Sequence, residues 1–253
     1  MKLKFLGTGA ADFDPILKTE DRFQVRKSLR RCNSTLLNGH ILIDCGPHVL
    51  DAIQIFNVDL SVIDTLLVTH THKDHFNQDV VATLAARLSH PLHIYHGSES
   101  QIPEIPNTVL HPVDIRQEFA VGDCTVTCLR ANHCAGAVHY SFVCEGKQMF
   151  YGADGAWLMM DTYYYMKDRH YDLMIMDATV GDYDGDYRMA EHNSLPMIRM
   201  MEKSFRTFGI ADDHTKIVLD HLARTLHTSH EELEVIAAKD GYIPAYDGME
   251  LDV

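Results

Sequence analysis

The chain has 253 residues, 46% of them apolar, which is enough for a sizeable core. Its 36 acids against 22 lysines and arginines give a formal charge of −14, which argues against a large nucleic-acid surface. No stretch approaches the roughly 20 apolar residues that cross a bilayer, and six cysteines without a CxxC pair read as free thiols in a reducing compartment.

In chain order, Lys2–Leu6 reads as a strand that runs into the small-residue loop Gly7-Thr8-Gly9-Ala10-Ala11. The apolar run at the N-terminus is too short for a signal peptide, so a cytoplasmic location is expected. Arg22, Arg26, Lys27, Arg30 and Arg31 gather basic charge that suits either a phosphorylated ligand or a solvated face. Ser34–Leu37 and Ile41–Asp44 read as strands joined at Asn38-Gly39, a tight-hairpin dipeptide. Val49–Phe56 has helical apolar spacing, Thr65–Thr69 reads as a buried strand, and Val80–Leu88 reads as a helix ended ahead of Pro91. Leu92–His96, Cys124–Arg130, His139–Cys144 and Gln148–Gly152 follow as strands, the last two linked by a turn at Glu145-Gly146-Lys147. The rhythm then repeats, with strands at Leu173–Asp177 and Ile217–Leu219 and helices at Leu195–Phe208 and His230–Lys239. No linker, low-complexity tract or fixed-period repeat divides the chain, so one α/β domain over residues 1–253 is expected. Its form would be an αββα sandwich, two packed sheets with outer helices.

The densest chemistry is His70-Thr71-His72-Lys73-Asp74-His75, directly after the Thr65–Thr69 strand. Residues two apart in an extended segment point the same way, so His70 and His72 can reach one cation. Asp74 and His75, past the bend, can face a second. Such a two-metal centre needs further ligands from other strand ends. Three candidates stand in loops after predicted strands: His133, Asp154 and His221. With only nitrogen and oxygen donors, zinc, manganese and iron all remain open as the metal.

The ligand order His70-x-His72-x-Asp74-His75, then His133, Asp154 and His221, resembles that of the metallo-β-lactamase-fold hydrolases. Within them the chain looks most like the PhnP-type phosphodiesterases, relatives of the tRNA 3′-end-processing nucleases. The resemblance also takes in Leu6-Gly7-Thr8-Gly9, Ile43-Asp44-Cys45-Gly46, Met176-Asp177, Glu191-His192-Asn193 and Tyr246-Asp247-Gly248-Met249-Glu250. It implies that His70, His72 and His133 hold one divalent ion, that Asp74, His75 and His221 hold a second, and that Asp154 bridges them. It further implies a bridging hydroxide as nucleophile, attacking a small or cyclic phosphodiester. Asp74 and His192 would be the catalytic residues, His192 contacting the phosphate and protonating the leaving oxygen. The alternatives are a tRNA-processing type of nuclease, hydrolysis of a C–N or thioester bond, and a metal-binding sensor or scaffold without chemistry. The expected oligomer, if one forms, is a homodimer.

Some positions depart from the family or carry plainer expectations. No cysteine precedes Cys32, so the auxiliary zinc of some PhnP-type members is not expected, and Asp12–Arg31 is read as a substrate-side loop. Asp220 stands ahead of His221, where it would act as a hydrogen-bond acceptor for that histidine. His139 is read as packed rather than ligating, His230 as a surface residue, His227 as a candidate for the pocket lining, and Cys134 as outside the ligand set.

Overall fold

The computed structural model describes all of residues 1–253. Two seven-stranded sheets pack face to face. The first contains β1 (Lys2–Gly7), β2 (Ser34–Leu37), β3 (Ile41–Ile43), β4 (Thr65–Val68), β5 (Leu92–Gly97), β6 (Thr108–Val113) and β14 (Glu250–Asp252), in the order β14-β1-β2-β3-β4-β5-β6. The second contains β7 (Glu118–Val121), β8 (Cys124–Arg130), β9 (Val138–Cys144), β10 (Lys147–Gly152), β11 (Leu173–Asp177), β12 (Lys216–Asp220) and β13 (Ile243–Pro244), in the order β13-β12-β11-β10-β9-β8-β7. Each sheet is antiparallel over one half and parallel over the other.

Three apolar layers hold the sandwich together. The central one interleaves Phe5, Ile43 and Leu67 of the first sheet with Val126, Tyr140, Tyr151 and Ile175 of the second. Outside the first sheet, α1 (Val49–Ile55) and α2 (Gln78–Arg87) cover Leu42, Leu66 and Ile94. Outside the second, α3 (Met160–Met166), α4 (Leu195–Thr207) and α5 (His230–Ala237) cover Phe150, Met174 and Leu219. Because β4 and β11 are covered on both faces, every residue of each is buried, and both read as unbroken apolar runs rather than alternating ones.

Local signals explain the joints. Asn38 and Gly39 both take positive φ in the β2–β3 hairpin, as do Glu145 and Gly146 in the β9–β10 hairpin, the geometry of a two-residue primed turn. Asn77, Ser194 and Ser229 cap α2, α4 and α5, the last through a reciprocal capping box with Glu232.

The expected αββα arrangement holds. Five elements were not expected: β6, β7, β13, β14 and α3. The first four lie at sheet edges, where strands are short, and β6 carries Pro112, which an edge tolerates and a sequence pattern reads as a break. Helix α3 is Met-Asp-Thr-Tyr-Tyr-Tyr-Met, an aromatic run of weak helix propensity fixed by burial of Thr162 and Met166. No helix is long and apolar enough to cross a membrane.

The fold buries two members of the expected basic patch, Arg30 and Arg31, and leaves Arg26 and Lys27 on a solvated face. Arg31 is buried against Asp247 at 3.2 Å and donates to the carbonyls of Arg22 and Gln24. Arg30 is buried beside Thr8, the Ala245 carbonyl and His230, and burial brings its pKa down to about 10. His230 is accordingly not a surface residue. It is 1% exposed, with Nδ1 at 2.9 Å from Arg30 and Nε2 at 3.1 Å from Glu234. These two arginines clamp the start of α5 and the C-terminal segment to the N-terminal loop, so they offer no surface to a ligand.

Candidate metal centre

The parallel strands end on one rim of the sandwich, and the loops leaving them build the site. After β4 the backbone turns sharply, and the His75 and Phe76 amides both bond back to the His72 carbonyl at 2.9 and 2.7 Å. Gly46 allows this turn to seat, because a Cβ there would collide with the Asp74 carbonyl. Asp44, at the end of β3, organises the loop from below. Its carboxylate accepts from the Thr69 amide and hydroxyl, both at 2.8 Å, and lies 2.7 Å from His75 Nδ1.

The structure brings together all seven expected ligands. Asp154 Oδ2 lies 3.2 Å from His75 Nε2, 3.3 Å from His70 Nε2 and 3.5 Å from His221 Nε2. On one side His72 Nδ1 and His133 Nε2 stand 3.1 Å apart, in a group with His70 and Cys134. On the other, His75 Nε2 and His221 Nε2 stand 3.1 Å apart, and Asp74 Oδ2 is 3.5 Å from the first and 3.8 Å from the second. Tetrahedral ligands at about 2.0–2.1 Å from a shared cation stand roughly 3.4 Å from one another, so these spacings fit divalent ions.

The orphaned atoms fit as well. His70 Nε2 and Asp154 Oδ1 are buried and make no well-aligned hydrogen bond, although imidazole nitrogens crowd the carboxylate, a costly state that a cation between them would relieve. The opposite ring nitrogens are held. His70 Nδ1 is 3.0 Å from the Thr69 hydroxyl, His75 Nδ1 is on Asp44, His133 Nδ1 is 3.1 Å from the Glu191 carbonyl and His221 Nδ1 is 2.7 Å from the Thr179 hydroxyl. Fixing one imidazole nitrogen so that the other faces inward is how ligating histidines are oriented.

Charge is tightly coupled here. Burial works against an ionised Asp154, yet His221, His192, His70 and His75 hold it well below the usual carboxylate range. Burial and the neighbouring His75 bring His70 down to about 4, which keeps its ring neutral, as a metal ligand must be. Asp154 and His221 both adopt positive φ, as does Asp44. Left-handed backbone is uncommon outside glycine, although aspartate and histidine tolerate it better than most residues, and such outliers concentrate at functional sites.

His192 sits at the pocket edge, its side chain 17% exposed. Its Nδ1 is 3.1 Å from Asp177 Oδ2 and 2.9 Å from Asp154 Oδ1. Burial disfavours its cation, but Asp177 and Asp154 overcome that and raise its pKa to about 11. With Nδ1 so occupied, Nε2 is the nitrogen left to meet a substrate. Asp177, at the end of β11, also accepts from the Gly155, Thr179 and Asn193 amides at 3.1, 2.9 and 3.1 Å.

Asp44, Asp177 and Thr179 had no assigned role from sequence, although the first two stood inside quoted motifs. Their signal is a lone carboxylate closing an apolar strand. Other expectations need correction. Asp220 does not serve the His221 ring. Its Oδ2 accepts from Asn33 at 2.7 Å, and Thr179 takes the histidine instead; burial raises the Asp220 pKa to about 6. Of the Asp12–Arg31 segment only Asp12 borders the metal pocket, where it accepts from the Arg224 and Thr225 amides at 2.9 and 2.8 Å. His227 is outside the pocket lining and bonds to the Ala178 carbonyl at 2.8 Å. His139 is packed, as expected, and burial lowers its pKa to about 4. Cys134, expected outside the ligand set, does bring its Sγ to the His70–His72–His133 group.

The pocket above these side chains encloses about 330 Å³ and is bordered by Thr179, Arg188, Glu191 and His192 opposite the ligand loop.

Comparison with known proteins agrees with this architecture. A search of curated proteins gives no match. Among solved structures, human tRNase Z, short form (ELAC1), superposes with a TM-score of 0.71 at 20% identity, covering 100% of this chain and 99% of that one. The metallo-beta-lactamase fold protein YhfI from Bacillus subtilis gives 0.76 at 17% identity, covering 99% and 98%. A diphosphatase from the PhnP family gives 0.74 at 17% identity, covering 100% and 97%. These likenesses establish the fold. The family model described as the beta-lactamase superfamily domain matches residues 40–208, a span that runs from the hairpin before Asp44 to the end of α4, and the chain belongs to that superfamily.

Proposed function

We propose that the whole chain acts as one catalytic domain, a binuclear metal-dependent phosphodiesterase for small or cyclic phosphodiesters. The observation that carries this reading is the convergence of two ligand groups on Asp154, with His192 poised over them on Asp177. His70, His72 and His133 would hold one ion, Asp74, His75 and His221 the other, and Asp154 both, since a carboxylate has two oxygens to offer. Two bound divalent ions would supply an activated water and neutralise charge on the phosphoryl oxygens.

The chain's own residues account for the rest. His192, whose Nδ1 is held by Asp177 at 3.1 Å, is placed to bind a phosphoryl oxygen through Nε2 and deliver a proton to the leaving oxygen. Asp177 fixes the ring and keeps the proton available. Asp74 reaches the pocket, where it can accept a proton from an attacking water. Zinc, manganese and iron all suit such a donor set. A nuclease is the weaker reading, because phosphate backbones are gripped by clustered lysine and arginine while this chain carries −14. The fold shared with a PhnP-family diphosphatase supports a small phosphate ester equally well.

The test is hydrolysis of bis(p-nitrophenyl) phosphate by protein reconstituted with Mn²⁺ or Zn²⁺, beside p-nitrophenyl phosphate. Diester turnover well above monoester turnover is expected. A preparation inert to diesters but active on lactams, thioesters or lactones would overturn the reading.

A further inference from the structure

Besides the expected ligands and His192, the lining of the metal pocket carries three charged side chains, those of Asp12, Arg188 and Glu191. Two of them are engaged elsewhere. Asp12 accepts from the Arg224 and Thr225 amides and, at 2.6 Å, from the Thr225 hydroxyl. Arg188 is paired at 2.8 Å with Asp186, two residues back on its own turn. Glu191 is exposed, and its carboxylate has neither an ion-pair partner nor a hydrogen bond.

Its backbone is nevertheless fixed. Glu191 closes the 3₁₀ turn Tyr187–Ala190, and its amide and that of His192 both donate to the Arg188 carbonyl at 2.8 Å. Its own carbonyl stands 3.1 Å from His133 Nδ1. From that backbone the side chain reaches the site: a carboxylate oxygen lies within 4.8 Å of a ring nitrogen of His133 and of one of His192. A phosphoryl oxygen held by His192 Nε2 would lie within about 10 Å of this carboxylate, one Debye length at about 0.1 M salt.

We propose that Glu191 sets the charge selectivity of the pocket, repelling the second negative charge of a phosphomonoester and so confining the site to monoanionic diesters. The proposal rests on the phosphodiesterase reading and names the residue behind its diester preference. A phosphomonoester carries close to two charges above pH 7, its second pKa being about 6, whereas a diester keeps one. Two charges are drawn to bound divalent ions more strongly than one, so the ions alone would favour the monoester. A diester preference therefore needs an opposing charge, and Glu191 is the unpaired carboxylate on the lining that supplies it. A unit charge about 8 Å away, between the surface and bulk-water limits of screening, changes affinity by about fivefold.

The experiment has two arms, both on metal-loaded protein at about pH 8, where the monoester is a dianion, as wild type, Glu191→Gln and Glu191→Asp. The position is exposed and the contact to His133 is made by backbone, so both substitutions spare the fold. First, kcat/KM is measured for p-nitrophenyl phosphate and bis(p-nitrophenyl) phosphate. Glu191→Gln should raise the monoester-to-diester ratio about fivefold, and Glu191→Asp, which keeps the charge, should hold the wild-type ratio. The gain should fade in about 1 M salt, where the Debye length is about 3 Å, a response that a merely structural role would not give. Second, calorimetric titration with phenyl phosphate and diphenyl phosphate should show Glu191→Gln tightening the first relative to the second by the same factor. An unchanged ratio, a gain that persists in high salt, or loss of a metal equivalent in Glu191→Gln overturns the inference and leaves the phosphodiesterase reading standing. Should no diester be hydrolysed by any form, that reading falls, and the titration alone decides: relative tightening of phenyl phosphate upholds the role of Glu191 and an unchanged ratio overturns it.

Discussion

The two sheets hand over their site residues in opposite ways. The first delivers His70, His72, Asp74 and His75 from one bend after β4. The second delivers His133, Asp154, His192 and His221 singly, from the loops after β8, β10, β11 and β12. Each half nevertheless has one buried carboxylate beneath its contribution, Asp44 in the first and Asp177 in the second. The first half thus behaves as a preformed unit that a single turn positions. The second is assembled only when four strands are in register, and Asp154 is where the two contributions meet.

Removing the meeting point should have the largest effect. With Asp154→Ala the inward-facing nitrogens of His70, His75 and His221 lose their shared carboxylate. Metal content by elemental analysis should drop from about two equivalents to one or fewer, with turnover near background. Two equivalents retained in Asp154→Ala would show that the halves bind independently, and the comparison would fail. Chelation of the wild type should abolish turnover in the same way, with recovery on adding Mn²⁺ or Zn²⁺.

The next effect separates chemistry from binding within the second half. His192→Ala should keep both ions and lose turnover by about 10²–10⁴-fold on esters with poor leaving groups, the usual contribution of a general acid. Nitrophenolate needs little protonation, so its esters should suffer less. Equal small losses on both would make His192 structural, and loss of metal would make it a ligand.

Asp44→Asn and Asp177→Asn probe the two organisers side by side. Removing a group that orients a ligating histidine typically costs about 10–100-fold in metal affinity or activity. Asp44 touches His75 at 2.7 Å, whereas Asp177 stands 3.7 Å from His221 Nδ1 and 3.1 Å from His192 Nδ1. Asp44→Asn should therefore appear in metal affinity and Asp177→Asn mainly in turnover. Identical profiles would erase the distinction between the halves.

The same asymmetry governs what could be read from the sequence. Four donors in six residues after an apolar strand are a local pattern, so the first half of the site was legible with no knowledge of the fold. His133, Asp154 and His221 were found as polar residues after apolar runs, and only their agreement with a family order assembled them. Asp177 and Thr179 stayed silent, because their value lies in reaching His192 and His221 across loops. Charge misled where burial reversed its meaning. Arg30, Arg31 and His230 look like surface residues by type, yet they form a buried network closed by Asp247 from the far end of the chain. A pairing across 200 residues or more leaves no mark on local periodicity. Edge strands such as β6 and β14 escaped for a related reason, since only a neighbour supplied by the fold makes them strands.

The smallest effect expected lies in the core between the sheets, away from the metals. Tyr151, on β10 of the second sheet, donates to Asn33 Oδ1 at 2.9 Å, and Asn33 donates in turn to Asp220 Oδ2 at 2.7 Å. Both contacts join the segment leading into β2 to strands of the opposite sheet, so they register one half against the other. Tyr151→Phe keeps the ring and its packing but leaves the buried Asn33 oxygen without its donor. Such an unsatisfied buried acceptor costs about 1–3 kcal/mol, to be read as a lower urea midpoint at unchanged slope. Metal content should stay that of the wild type, because neither partner touches an inward-facing nitrogen. A loss of metal from the second group alone would mean that strand register is transmitted through Asn33 and Asp220 to His221. That result would sharpen the comparison, since the half whose ligands come singly would then depend on core contacts that the preformed loop does not need.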